Sequence, residues 1–204
     1  MKKQVALVLS LLFCGVMFAQ KMKVVKGDFD FIKGQKEFNV EFVYDNMKIY
    51  KDNKTNEEYM TERSAKLEEK SKGKGKAWEK KWIAARELIY APKFLELMNR
   101  YMEKKKKGIV FEEGLADAKY TLLVETVWLY PGYNVGVMRR PAKVSTLLRF
   151  VETANRDNVL LEITGKHAPG NSFGGTYSNE DRIGEGYAKT GKTLAGLILK
   201  KTKK

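Results

Sequence analysis

The sequence predicts an α/β (α+β) fold: a single mixed β-sheet of about four to five strands packed with helices, after a cleaved signal peptide. Three patterns carry this expectation. Residues 38–44 and 144–164 hold apolar positions at period two, residues 56–107 and 178–200 hold them at helical period, and residues 120–130 are apolar on both alternating sets. The chain divides into a leader at 1–19, an irregular lead-in at 20–36, one domain at 37–200 and a basic tail at 201–204. About 185 residues beyond the leader suffice for one well-formed core.

The elements follow in chain order. Phe38, Val40, Phe42 and Tyr44 alternate with Asn39, Glu41 and Val43, marking a strand that Met47 and Ile49 extend. Residues 56–72 are rich in Glu, Lys, Ala and Leu and end at Gly73 and Gly75. Trp78, Trp82, Ala85 and Ile89 then recur at helical spacing, as core rather than as a ligand platform. Pro92 is expected to break or kink the helix before Leu95, Met98 and Met102 resume the stripe. The lysines at 104–107 suit the carbonyl end of that helix, and Gly108 ends it.

A short strand at 109–111 precedes residues 120–130, the strongest β signal, expected inside a sheet covered on both faces or nearly so. Residues 144–152 and 159–165 read as a hairpin across the polar turn 155–157, and 168–178 as loop. Ser178 and Asp181 cap a last helix whose stripe is Ile183, Tyr187, Leu194 and Ile198. Gly184, Gly186, Gly191 and Gly196 lie in it, each costing up to about 1 kcal/mol against Ala; the pattern fits a backbone pressed close to a neighbour.

The leader has a charged start at Lys2 and Lys3, an apolar run to Phe18 and a small exit residue, Ala19. An apolar run of about 14 residues is short of the ~20 needed to span a bilayer. Cys14 is the only cysteine, and Phe13 before it does not suit lipidation, so loss of the leader leaves neither a disulfide nor a thiolate. The formal charge of +14 falls to about +12 without Lys2 and Lys3. For an exported chain the matching polyanions are envelope polymers and lipid head groups rather than nucleic acid. Peripheral membrane contact is compatible with this charge, as is a purely solubilising role.

Gly186, Gly191, Lys192 and Thr193 match GxxxxGK[ST], yet the preceding residues are polar and only 11 follow Thr193. The match is read as a false phosphate loop, and no cofactor is expected. One histidine, His167, excludes a histidine-rich metal site, and no catalytic residue is assigned. The carboxylates (Glu112, Glu113, Asp117, Glu125, Glu152, Glu162, Glu180 and Asp181 among them) show no convergence in sequence, and Glu125 and Glu162 suit either the exposed side of the sheet or pairing with Arg149 across it. Tyr130, Tyr133, Arg139, Arg140, Lys143 and Tyr177 form the candidate binding set, on loops 131–143 and 168–178. Ordinary turns would also account for both loops.

After residue 115 the order is Ala116 and Asp117, a long hydrophobic strand at 120–130, a Pro/Gly loop, strands at 144–151 and 159–164, a Gly/Ser loop, Arg182, and a helix carrying Tyr-Ala-Lys-Thr-Gly-Lys at 187–192. This order resembles the periplasmic α/β domain of the curli secretion channel, of the lipoproteins that activate penicillin-binding proteins, and of related outer-membrane-associated proteins. It extends over residues 38–200 in element order. The resemblance implies a sheet domain used for protein association at the envelope, without known catalysis. The chain departs from that pattern in lacking a lipidated mature cysteine and in its long basic helical segment at 56–107.

The expected function is thus an exported, non-enzymatic envelope protein, periplasmic or outer-membrane-associated, binding a protein partner or an anionic envelope polymer. The alternatives are an exported hydrolase using a carboxylate or His167, and a basic binder of anionic membrane surfaces. Oligomeric state is not read from the sequence.

Overall fold

A computed structural model describes residues 20–105, 107–135, 138–170 and 178–202. The leader, Tyr177 with most of loop 168–178, and the last two lysines lie outside the described residues. The fold is mixed α/β. Its sheet has eight strands, not four or five, because several are too short or too polar to leave a periodic signal.

Six strands follow the order β1 (Lys21–Gly27), β10 (Val159–Gly170), β9 (Ala142–Glu152), β6 (Tyr120–Tyr130), β2 (Glu37–Val43) and β5 (Val110–Glu112). β3 (Lys48–Ile49) lies beside the far end of β6 and pairs with β4 (Lys54–Thr55). The β1 half is antiparallel, whereas β2 runs parallel to both β5 and β6. A separate two-stranded sheet joins β7 (Tyr133–Val135) to β8 (Met138–Arg140).

Four sequence expectations need correction. The lead-in is not irregular: Lys21, Met22, Lys23 and Val24 pair antiparallel with residues 163–166, forming a sheet edge whose lysines suit an open strand border. The strand at 38–44 does not run on to Ile49, since a turn intervenes before β3. Loop 131–143 contains the β7–β8 hairpin and the start of β9. Residues 168–170 belong to β10, where, among the described residues, β1 pairs no further than Lys166, so no strand on that side calls for the amide that Pro169 lacks.

Helices α1 (Asn56–Glu68), α2 (Lys74–Ala85), α3 (Ala91–Lys104) and α4 (Asn179–Lys201) complete the fold. Thr55 and Glu58 form a reciprocal capping box on α1. Between α2 and α3 the chain is not broken at Pro92: a π-helical turn at Arg86–Tyr90 widens the coil where proline removes a donor, and the helix continues. Ser178 caps α4, its Oγ accepting from the Asp181 amide. Gly108, at φ +59°, follows α3.

α3 and α4 cover one sheet face. Phe94, Met98, Met102, Ile183, Tyr187, Leu194 and Ile198 are buried with Phe38, Val40, Leu122, Val124, Leu148, Phe150 and Ile163. The opposite face carries Asn39, Glu41, Glu125 and Arg149 in hydrogen-bonded pairs, with Asn39, Thr121 and Glu125 buried, so β6 is central to the sheet and largely buried on both faces. Trp82 and Ala85 are buried, and Trp78 and Ile89 pack at the edge of the same cluster.

The glycines of α4 separate into two kinds. A Cβ at Gly184 or Gly186 would stand 2.6 Å from Ile89 Cγ2 or Val144 Cγ2, and one at Gly191 would strike the Phe94 carbonyl, whereas Gly196 faces open space. Gly191→Ala is therefore expected to destabilise the protein by about 1–3 kcal/mol through overpacking. Gly196→Ala should stabilise it by up to about 1 kcal/mol. Urea unfolding of the two variants checks this difference in sign.

Candidate functional site

The candidate residues lie at the end of the sheet where β6 and β9 leave it. Pro131 and Pro141, which lack amide donors, flank the β7–β8 hairpin where the long ladder gives way to the short one. Gly132 makes the turn possible. Its φ is +70°, and a side chain there would press 2.5 Å from the Arg140 carbonyl oxygen and 2.7 Å from the Ala142 nitrogen.

Register then sets the residues in opposed pairs: Tyr130 with Lys143, Tyr133 with Arg140, and Asn134 with Arg139. Side chains directly opposite in an antiparallel pair lie close enough to interact. Tyr130 and Tyr133 are half-buried, while Arg139, Arg140 and Lys143 are exposed. Five of the six candidates thus fall on neighbouring positions of one sheet end; Tyr177 lies outside the described residues.

Two bulges aim further residues at the same place. A register shift between Thr126 and Trp128 reverses the alternation of β6, so that Leu129 enters the core while Trp128 and Tyr130 take the other face. A second shift, between Gly165 and Ala168 of β10, puts His167 in the left-handed region at φ +52°. Its amide donates to Ser145 Oγ at 3.1 Å, and its ring meets the Trp128 indole edge-on at 5.0 Å. His167 is accordingly part of a strand bulge, not of a loop.

Tyr50 ties this end to the helices. Its amide donates to the Leu129 carbonyl, its carbonyl accepts from Trp128 Nε1 at 2.8 Å, and its ring sits edge-on to Tyr130 at 5.6 Å and to Tyr59 at 5.5 Å. Tyr59 in turn contacts Trp78 and Trp82. Sequence reasoning did not assign Tyr50 or Trp128 to the site. The first sits in a two-residue turn signal, and the second is placed by a bulge that no period reveals.

The carboxylates do not gather here. Glu125 is held by Arg149 at 2.8 Å and by Asn46 at 3.2 Å, as the cross-sheet pairing with Arg149 anticipated for it. Glu113 sits just beyond β5, its carboxyl held above the usual range by partial burial and by Glu87. Among the described residues no group of three His, Cys, Asp or Glu side chains could hold a metal ion. The GxxxxGK[ST] stretch is helix throughout: Lys192 Nζ lies 5.2 Å from the Tyr101 ring centre and Thr193 Oγ1 donates to the Lys189 carbonyl. Its amides serve the helix and do not form a phosphate cradle.

No family model and no curated protein matches this chain. The PelC dodecamer from Paraburkholderia phytofirmans is 12% identical, with 88% of this chain and 95% of that chain covered, at a TM-score of 0.37. A point variant of that dodecamer from the same organism is 11% identical over the same shares, at 0.36. Likeness at this level carries no argument about the chemistry of the present chain.

Partial burial, then Lys143 and Lys166, lower the pKa of His167. As the only histidine it gives an isolated imidazole NMR signal, which is expected to titrate below the ordinary midpoint of about 6.5. Lys143→Gln should raise that midpoint without restoring it fully, because burial remains. The neutral ring is favoured in the folded state. Its contribution to stability is therefore complete above about pH 6.5 and declines as pH falls towards the folded midpoint. A midpoint at or above the ordinary value would contradict this account.

Proposed function

We propose that the chain is an exported, non-enzymatic cell-envelope protein, periplasmic or outer-membrane-associated, that binds a protein partner or envelope polymer of anionic character through the β6–β9 end of its sheet. The observation that carries this reading is the opposition of aromatic and cationic side chains in register, Tyr130 with Lys143 and Tyr133 with Arg140. Aromatic faces beside cations suit sugars, peptides and anionic polymers. They stand on strands rather than on a long loop, which favours a preformed surface.

The surroundings support binding over hydrolysis. The charged groups that act on His167 are two lysines, and a histidine acting as base in a hydrolase is ordinarily oriented by a carboxylate. Glu125 is committed to Arg149 and Asn46. The element order, which resembles that of the curli-channel and penicillin-binding-protein-activator domains, fits the same reading and suggests association with another envelope protein as its specific form.

Reversible crosslinking of the tagged protein in its native envelope, followed by mass spectrometry and glycan analysis, tests the proposal. A component captured by the wild type and by His167→Ala, but lost with Arg140→Gln/Lys143→Gln, is the expected result. Capture that survives the double substitution, or a hydrolytic activity abolished by His167→Ala, would overturn it.

A further inference from the structure

Gln20, just ahead of β1, is buried where a polar side chain has little reason to be. It is only 5% exposed, and among the described residues neither its Nε2 nor its Oε1 has a hydrogen-bond partner. Met22, two residues on, pairs with Gly165, Gly165 with Thr146, and Thr146 with Thr126, whose hydroxyl bonds Tyr187 of α4. That row faces the helices, and position 20 lies on the same side of the strand as position 22. A Cβ at Gly165 would stand 2.5 Å from Gln20 Nε2 and 3.0 Å from Thr146 Oγ1, so the glycine leaves open the space that the Gln20 side chain fills. Thr146 Oγ1 is buried there without a partner as well. Each such group carries its full desolvation cost.

The cost grows at the chain end that export creates. Ala19 is the small exit residue of the leader, and a cut after it makes Gln20 the first residue of the mature chain. The new α-ammonium would then stand on an almost wholly buried residue, beside the pair Lys21 and Lys166. Residues 20–27, 143–148 and 163–168, the strand segments around this seat, include no acid. A buried charge without a partner is disfavoured far more strongly than an unpaired amide.

An N-terminal glutamine can shed that charge without any other reagent. The α-amino nitrogen attacks the side-chain Cδ carbonyl; the N–Cδ bond forms, the Cδ–Nε2 bond breaks, and the proton lost by the amine leaves with Nε2 as ammonia. The product, pyroglutamate, is a neutral lactam. It replaces an ammonium, an amide NH2 and a carbonyl by one N–H and one carbonyl. We infer that Gln20 is a modification site, closing to N-terminal pyroglutamate once the leader is removed, with the neutral ring seated over Gly165 at the head of β1. Ring closure goes beyond the binding role and depends on the export reading only for the cut after Ala19. With its end uncharged, β1 can pair from Lys21 onward while its first residue stays inside the core.

Mass spectrometry of the mature protein isolated from its own cell envelope, on the intact chain and on its N-terminal peptide, tests this site. A synthetic peptide of residues 20–27 with a free N-terminal glutamine, carried through the same preparation, measures ring closure on the bench. The expected mature chain starts at residue 20 and is lighter than its open form by one ammonia, in most molecules and well beyond the peptide. Gln20→Ala should keep the cut and lose the mass difference. A mature chain that begins with open Gln20, is closed no more than the control peptide, or begins at another residue would overturn ring closure and leave export standing. A loss of ammonia that persists in Gln20→Ala would arise at another residue and overturn it too. A chain that retains residues 1–19 would overturn both ring closure and the export reading.

Discussion

The close seating of α4 is the constraint on which the rest of the structure depends. Three of its glycines admit groups that a methyl would exclude: Ile89 at Gly184, Val144 at Gly186 and the Phe94 backbone at Gly191. The helix can therefore lie against β9 and α3 at once. That position carries Tyr187 into the core, where its hydroxyl bonds Thr126 and its ring stacks on Tyr90 at 5.0 Å. Burial raises the pKa of Tyr44, Tyr90 and Tyr187, and the Arg86 guanidinium covers the Tyr44 ring at 4.7 Å. Arg86 opens the π-helical turn, so the irregularity before Pro92 also supplies the cation that faces this phenol cluster.

From that core an unbroken line of aromatic contacts runs outward. Trp82 meets Tyr59, Tyr59 meets Tyr50, and Tyr50 meets Tyr130, at centroid distances of 5.2, 5.5 and 5.6 Å. Contacts of this kind add about 0.5–1.5 kcal/mol each beyond area burial. Their larger consequence is positional. Tyr130 is fixed from behind by groups that belong to α1, α2 and the turn after β3, so Lys143, the exposed cation opposite it, acts from a rigid base.

Much of this was legible in the residues, and the failures have physical causes. The stripes of α3 and α4, the Ser178 cap and the β9–β10 hairpin follow from periodicity and capping chemistry, which are local properties. β1 was hidden because Met22 and Val24 alternate with lysines that protect a sheet edge, and lysine-rich alternation reads as a solvated segment. β3 and β4 are two residues each, shorter than any periodic window. The full length of β10 was obscured by Gly165, Pro169 and Gly170, which are loop signals in isolation. Here they serve a bulge and a one-sided ladder. The candidate cations and tyrosines were visible as a cluster in the chain, but Trp128 and His167 reach it only through two bulges on opposite sides of β9.

Those bulges show how a sheet end acquires a surface different from its middle. In the middle, strict alternation sends Phe38, Val40, Leu122, Val124, Leu148 and Phe150 under the helices and sends Glu41, Glu125 and Arg149 to the polar face, where Arg149 neutralises Glu125 and Arg156 neutralises Glu41. One extra residue in β6 and the irregularity in β10 shift the phase where helix cover ends. After the shift the face opposite Leu129 receives Trp128, Tyr130, Lys143 and His167, a set with one cation, Lys143, and no acid. The same strands thus pair their charges in the middle and present the exposed Arg140 and Lys143 towards the end. In the proposed function only the second serves to attract an anionic partner from solution, because a neutral pair has little field beyond the ~8–10 Å screening length.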